Sequence, residues 1–129
     1  MTEKLTISHL NDLHSHFENY PKIKRYLQEF PKSDEEVIRV DVGDSIDRWH
    51  PMTDITKGRF NVQLMNELKI DFATIGNNEG IGLAKNWLNH VYQDADFKVI
   101  LGNLEDENGR PNWAEPYQIY ETKAGTRIA

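Results

Sequence analysis

The chain has 129 residues, 15 Lys+Arg against 21 Asp+Glu, and no cysteine. That length makes one domain with a single core, and no stretch approaches the ~18 uninterrupted apolar residues of a membrane span. The net charge of −6 opposes a partner bound through nucleic-acid phosphates, and without thiols any metal must be held by oxygen and imidazole.

Met1-Thr2-Glu3-Lys4 runs directly into an alternating segment, with no basic and apolar leader, so a cytoplasmic location is expected. Leu5, Ile7 and Leu10 mark a first strand, closed by Asn11-Asp12. Tyr20-Pro21 opens a helix whose stripe is Ile23, Tyr26, Leu27 and Phe30, and Pro31 stops it. The β-branched run from Val37 to Val42 is a second strand, ended by Gly43-Asp44. From Asp44 to about Lys57 the chain reads as a loop. Phe60, Leu64, Met65 and Leu68 give a second helical stripe.

Phe72-Ala73-Thr74-Ile75 is a third strand, closed by Gly76-Asn77, and Ile81, Ala84, Trp87, Leu88 and Val91 form a third stripe. The run from Phe97 to Leu101 is a fourth strand, closed by Gly102-Asn103. Tyr117-Gln118-Ile119-Tyr120 reads as a fifth, and Thr126 to Ala129 opens a sixth. This alternation specifies an α/β fold, a mainly parallel sheet with crossover helices.

Ligands of open sheets gather at the carboxyl ends of the strands. Asp12, Asp44 and Asn77 should therefore converge, with His14 beside the first of them. Gly-Asp and Gly-Asn pairs also end strands simply because they turn well. Their recurrence at regular spacing, with an imidazole close by, points instead to a site. Carboxylate, imidazole and amide donors suit Mn, Fe or Zn, and two such cations need a shared anionic ligand between them. Asp44 is the candidate bridge.

Asp12-Leu13-His14, Gly43-Asp44-Ser45-Ile46-Asp47 and Gly76-Asn77-Asn78-Glu79, in that order, resemble the signature of the calcineurin-like metallophosphoesterases. The opening Ser8 to His16, together with Leu101-Gly102-Asn103-Leu104 and the segments 117–120 and 125–129, resembles the 5′-nucleotidase branch. The resemblance implies the N-terminal half of a metallophosphoesterase-type α/β sandwich, so that residues 1–129 form a single partial domain without its second half or substrate domain. It also implies two divalent metal ions (Mn, Zn or Fe), with Asp12 and His14 on the first, Asp44 bridging and Asn77 on the second. A metal-bound hydroxide would attack the phosphorus of a nucleotide or related phosphate ester or anhydride.

Asn78 stands where the family has its catalytic His, and Ile81 where the 5′-nucleotidase branch often has the Asp that holds that His. Asn cannot hand over a proton, which tilts the expectation toward anhydrides, whose phosphate leaving group needs less help than an alkoxide. The family's later Gly-His-x-His ligands have no counterpart before Ala129, so the fragment itself is expected to be nearly inactive. His50 is a candidate to approach the site or a surface residue, His16 lines the pocket or faces water, His90 reads as surface, and Asp47 as supporting or solvated. Trp49, Trp87 and Trp113 read as packing residues. No nucleic-acid polymer and no membrane are expected as partners. An open strand edge and uncovered apolar sheet surface predict self-association. Two other readings compete: a degenerate phosphoesterase fold serving as a binding or regulatory module without catalysis, and a generic α/β interaction domain whose Gly-Asp and Gly-Asn pairs are only turns.

Overall fold

The computed structural model describes residues 2–30 and 35–129. Strand β1 (Leu5–Leu10) is followed by a 3-10 turn at Phe17–Asn19 and helix α1 (Tyr20–Glu29), then by β2 (Glu36–Asp41). Helices α2 (Pro51–Thr56) and α3 (Arg59–Glu67) lead to β3 (Phe72–Ala73), and α4 (Asn77–Gly80) and α5 (Lys85–Val91) lead to β4 (Lys98–Ile100). Three short strands close the chain: β5 (Ala114–Glu115), β6 (Tyr120–Glu121) and β7 (Arg127–Ile128). No helix among the described residues is long and apolar enough to cross a membrane.

The first five strands form one parallel sheet in the order β1-β2-β3-β4-β5. Each connection steps one strand in the same direction. Right-handed crossovers then place α1, α3 and α5 on a single face. There Leu27 of α1, Val62 and Met65 of α3, and Leu88 and Val91 of α5 share one core with Ala73 and Val99 of the sheet. On the opposite face the antiparallel β6–β7 hairpin covers part of the sheet. Tyr120 meets Phe72 edge-on, and its hydroxyl donates to Glu36 at 2.6 Å. The rest of that face is open: Ile7 is 59% exposed and Val42 48%.

The expected parallel α/β sheet is present, with three local differences. The segment after Asp44 is not all loop, because α2 forms there. Pro51 fits its first turn and the His50 ring nitrogen accepts the Met52 amide at 3.2 Å, while Met52 and Ile55 face solvent, so no apolar stripe announces the helix. The stripe from Ile81 to Val91 is broken rather than continuous. A Cβ on Gly82 would collide with the carbonyl of Asn78; α4 ends at Gly80, and Ile81 is left 86% exposed. The fifth sheet strand is Ala114–Glu115, not 117–120. Pro116, which has no N–H to continue the ladder, turns the chain away, and only Tyr120 of that segment is in a strand, on the other face. Pro31, expected to stop α1, lies outside the described residues.

Candidate metal centre

The turns after β1 and β2 run side by side beyond the end of the sheet. The amides of Asp12, His14 and Ser15 donate to the carbonyls of Gly43, Asp44 and Ser45 at 3.0, 3.0 and 3.1 Å. This ladder needs unusual backbone: Asp12, His14, Ser15 and Asp44 all have positive φ, between 46° and 56°. Left-handed geometry at non-glycine residues costs on the order of 1–3 kcal/mol each and gathers where function requires it. The turn after β3 packs against the other two just as closely. A Cβ on Gly43 would lie 2.6 Å from the Gly76 nitrogen, and one on Gly76 would overlap the Asp44 carboxylate, so glycine is required at both positions.

As a result Asp12, His14 and Asp44 each offer a ligand atom within 4.8 Å of one another. Two ligands about 2.1 Å from one cation lie up to ~4.2 Å apart. The trio therefore fits around an ion with shifts of up to about an ångström. His14 Nδ1 lies 3.3 Å from Asp47 and Nε2 3.4 Å from Asp12. With Nδ1–H donating to Asp47, Nε2 is left facing the Asp12 carboxylate, the usual way a carboxylate orients a ligating imidazole. Burial lowers the proton affinity of His14, but the hydrogen bonds to Asp47 and Asp12 and the charges of Asp44 and Asp47 outweigh it and raise it overall. Such a pocket attracts a cation.

Asn77 begins α4 beside Gly76; its side chain is exposed and makes no hydrogen bond among the described residues. Asn78 donates its backbone N–H to Asp44 Oδ1 at 2.9 Å, and its side-chain nitrogen lies 3.4 Å from His14 Nδ1. The structure thus brings together Asp12, His14, Asp44 and Asn78, with Asn77 on the adjoining turn. His50 is engaged in capping α2 and packs edge-on against Phe17, centroids 4.4 Å apart. His16 pairs with Glu18 at 3.0 Å, and His90 is exposed on α5. Trp49, expected to pack, is 85% exposed.

Three supporting groups went unassigned in the sequence reading. Asp41, buried at the end of β2, accepts the Gly43 amide at 3.0 Å and the Ser45 hydroxyl at 2.5 Å. Glu79, 1% exposed, accepts the amides of Asp44, Ile46 and Gly76. Ser15 is the hub of a buried set: its Oγ receives the Asp47 amide, the Thr53 hydroxyl and the Asn61 amide. Glu79 carried a detectable signal, since a Glu three residues after a helix-capping Gly is half of a capping box. Burial raises the proton affinity of both Asp41 and Glu79 against the hydrogen bonds that lower it. Burial, and then the charge of these two carboxylates, also keeps the phenols of Tyr20 and Tyr92 neutral.

No protein-family model matches the chain. Over its whole length it is 50% identical, across 134 aligned positions, to YunD, an uncharacterized metallophosphoesterase of Bacillus subtilis (strain 168), and it spans 29% of that protein. Its fold is shared with the NAD nucleotidase NadN of Haemophilus influenzae, with a TM-score of 0.82 at 21% identity over 95% of this chain and 28% of that one. A candidate 5′-nucleotidase of Staphylococcus aureus, solved in complex with alpha-ketoglutarate, superimposes with a TM-score of 0.71 at 15% identity over 92% of this chain and 26% of that one. Over its whole length the chain is thus similar to part of a metallophosphoesterase, and it shares its fold with part of two nucleotidases.

Proposed function

We propose that this chain supplies the metal-binding part of a phosphoesterase that hydrolyses nucleotides or related phosphate esters and anhydrides. The observation that carries the reading is the convergence of Asp12, His14 and Asp44 from two separate turns. Asp12, His14 and Asp44 would hold divalent metal there, with Asp44 as the shared carboxylate if two ions bind and Asn77 as a further oxygen ligand. Bound there, Mn, Zn or Fe neutralises charge on the phosphoryl oxygens and makes water a nucleophile near neutral pH. The chain's own contribution is placement: Asp47 fixes the His14 ring, and the Asn78 amide steadies the Asp44 carboxylate. The nucleotidase fold of its neighbours supports a nucleotide as substrate.

Asn78 lies beside His14, its side-chain nitrogen 3.4 Å from Nδ1, at the position of the related family's catalytic His, and an amide donates no proton at neutral pH. The enzyme therefore favours anhydrides, in which the leaving phosphate needs little protonation, over nucleoside monophosphates. General acid assistance is worth ~10²–10⁴ in rate, so the preference should be large. Chromatographic measurement of nucleoside formed from a nucleoside monophosphate, and of nucleoside monophosphate plus sugar 1-phosphate formed from a nucleoside diphosphate sugar, tests this; faster turnover of the monophosphate contradicts it. The chain spans 29% of YunD, and we propose that residues 1–129, as a partial domain, turn over slowly or not at all. A rate that is abolished by Asp44→Ala would refute that inactivity.

Asn78 and the exposed Ile81 also favour a second reading, a phosphate-binding or regulatory module that holds metal without turnover. Metal and nucleotide binding with no hydrolysis of either ester or anhydride, under any of the three metals, would select it.

A further inference from the structure

We infer that Glu79 is a positioning residue for the metal centre, a buried side chain that ties the backbone of the Asp44 turn to that of the Asn77 turn. The inference rests on the metal-binding reading above. Its Oε2 accepts the Asp44 amide at 3.2 Å and the Gly76 amide at 2.9 Å, while Oε1 accepts the Ile46 amide at 2.8 Å. Those donors belong to turns after two different strands. Both turns carry proposed ligands, and both are held in backbone geometry or contact that glycine-free chains avoid.

The division of work between the two buried carboxylates supports this role. Asp41 binds within its own turn, to Gly43 and Ser45, whereas Glu79 reaches the alternate amides, Asp44 and Ile46, and adds Gly76. Only the second set spans the gap between ligands. A carboxylate, with two acceptor oxygens and no donor, satisfies three converging N–H groups. Gln at the same place has one acceptor oxygen and an NH₂ that opposes a backbone N–H, so the two turns separate while shape and volume are kept.

The test is calorimetric titration of MnCl₂ into the parent chain, Glu79→Gln and Ile70→Ala. Ile70 is buried ahead of β3, away from the turns that carry the ligands, and serves as a stability control. Circular dichroism checks folding, and Glu79→Asp replaces Glu79→Gln if the latter does not fold. Glu79→Gln should weaken Mn²⁺ affinity at least tenfold, the range seen when a group supporting a metal ligand is lost, with Ile70→Ala within about twofold of the parent at comparable melting temperature. Equal affinity in Glu79→Gln and parent overturns the inference and leaves the metal site standing, as does an equal loss in Ile70→Ala. A parent chain that binds no Mn²⁺ removes the metal-binding reading and this inference with it.

Discussion

At the scale of single residues, the site trades backbone comfort for convergence. Asp12, His14, Ser15 and Asp44 sit in left-handed geometry that no helix or strand asks of them, and the hydrogen bonds of Asp41, Glu79 and Ser15 hold them there. Asp41 yields a pH prediction. Burial raises its proton affinity in the folded chain above its unfolded value, so the folded state prefers it neutral. Its contribution to stability is full below the unfolded carboxylate value of about 4 and is lost as pH rises through the higher folded one. Asp41→Asn mimics the neutral form, since its oxygen can accept the Gly43 amide and its NH₂ can meet Ser45 Oγ. Thermal melts from pH 4 to 8 should therefore show the variant gaining on the parent as pH rises; a pH-independent difference between them contradicts this.

Among the elements, burial energy and local bonding can be probed separately. Met65 of α3 is 2% exposed at the centre of the core, and Met65→Ala should cost about 2–5 kcal/mol in denaturant unfolding. A loss below ~1 kcal/mol would mean that α3 packs less closely than described. The hairpin is fastened to the sheet differently, through Tyr120, whose bond to the Glu36 carboxylate, more than its partial burial, pushes its ionisation up to about 12. Tyr120→Phe should cost ~1.5–3 kcal/mol, typical of a hydrogen bond to a charged group, and an unchanged unfolding midpoint would deny that bond its role. The elements legible in the sequence were those with a buried stripe. α1, β2, α3 and β4 follow from the spacing around Leu27, Ile38, Met65 and Val99, whereas β1, which buries no residue fully, follows from the near alternation of Leu5, Ile7 and Leu10. α2 was invisible because it buries Thr53 and little else, and the break after α4 was hidden because Ile81 falls on the helical period although it caps α4 and the next helix starts only at Lys85. Three of the proposed ligands could be read from strand endings alone. Glu79 could be read only as half of a capping box, because its partners in the Asp44 turn are backbone amides, which carry no residue identity, and Asp41 and Ser15 join partners at no recognisable spacing.

For the whole molecule, the one-directional strand order puts every crossover helix on one face and leaves much of the other to a two-stranded hairpin. Ile7 and Val42 remain exposed there, and among the described residues β1 is a sheet edge paired on one side only. We propose that two copies associate through this surface. Sedimentation should show a concentration-dependent dimer that Ile7→Lys disperses, whereas a monomer at all concentrations counts against it. The same topology delivers the carboxyl ends of β1, β2 and β3 to one rim, and the function proposed here depends on that delivery. The most direct test is anomalous diffraction from crystals grown with MnCl₂. The account predicts a strong Mn peak within bonding distance of Asp12, His14 and Asp44 that is lost in Asp44→Ala; well-ordered crystals with no peak at these three side chains would contradict it.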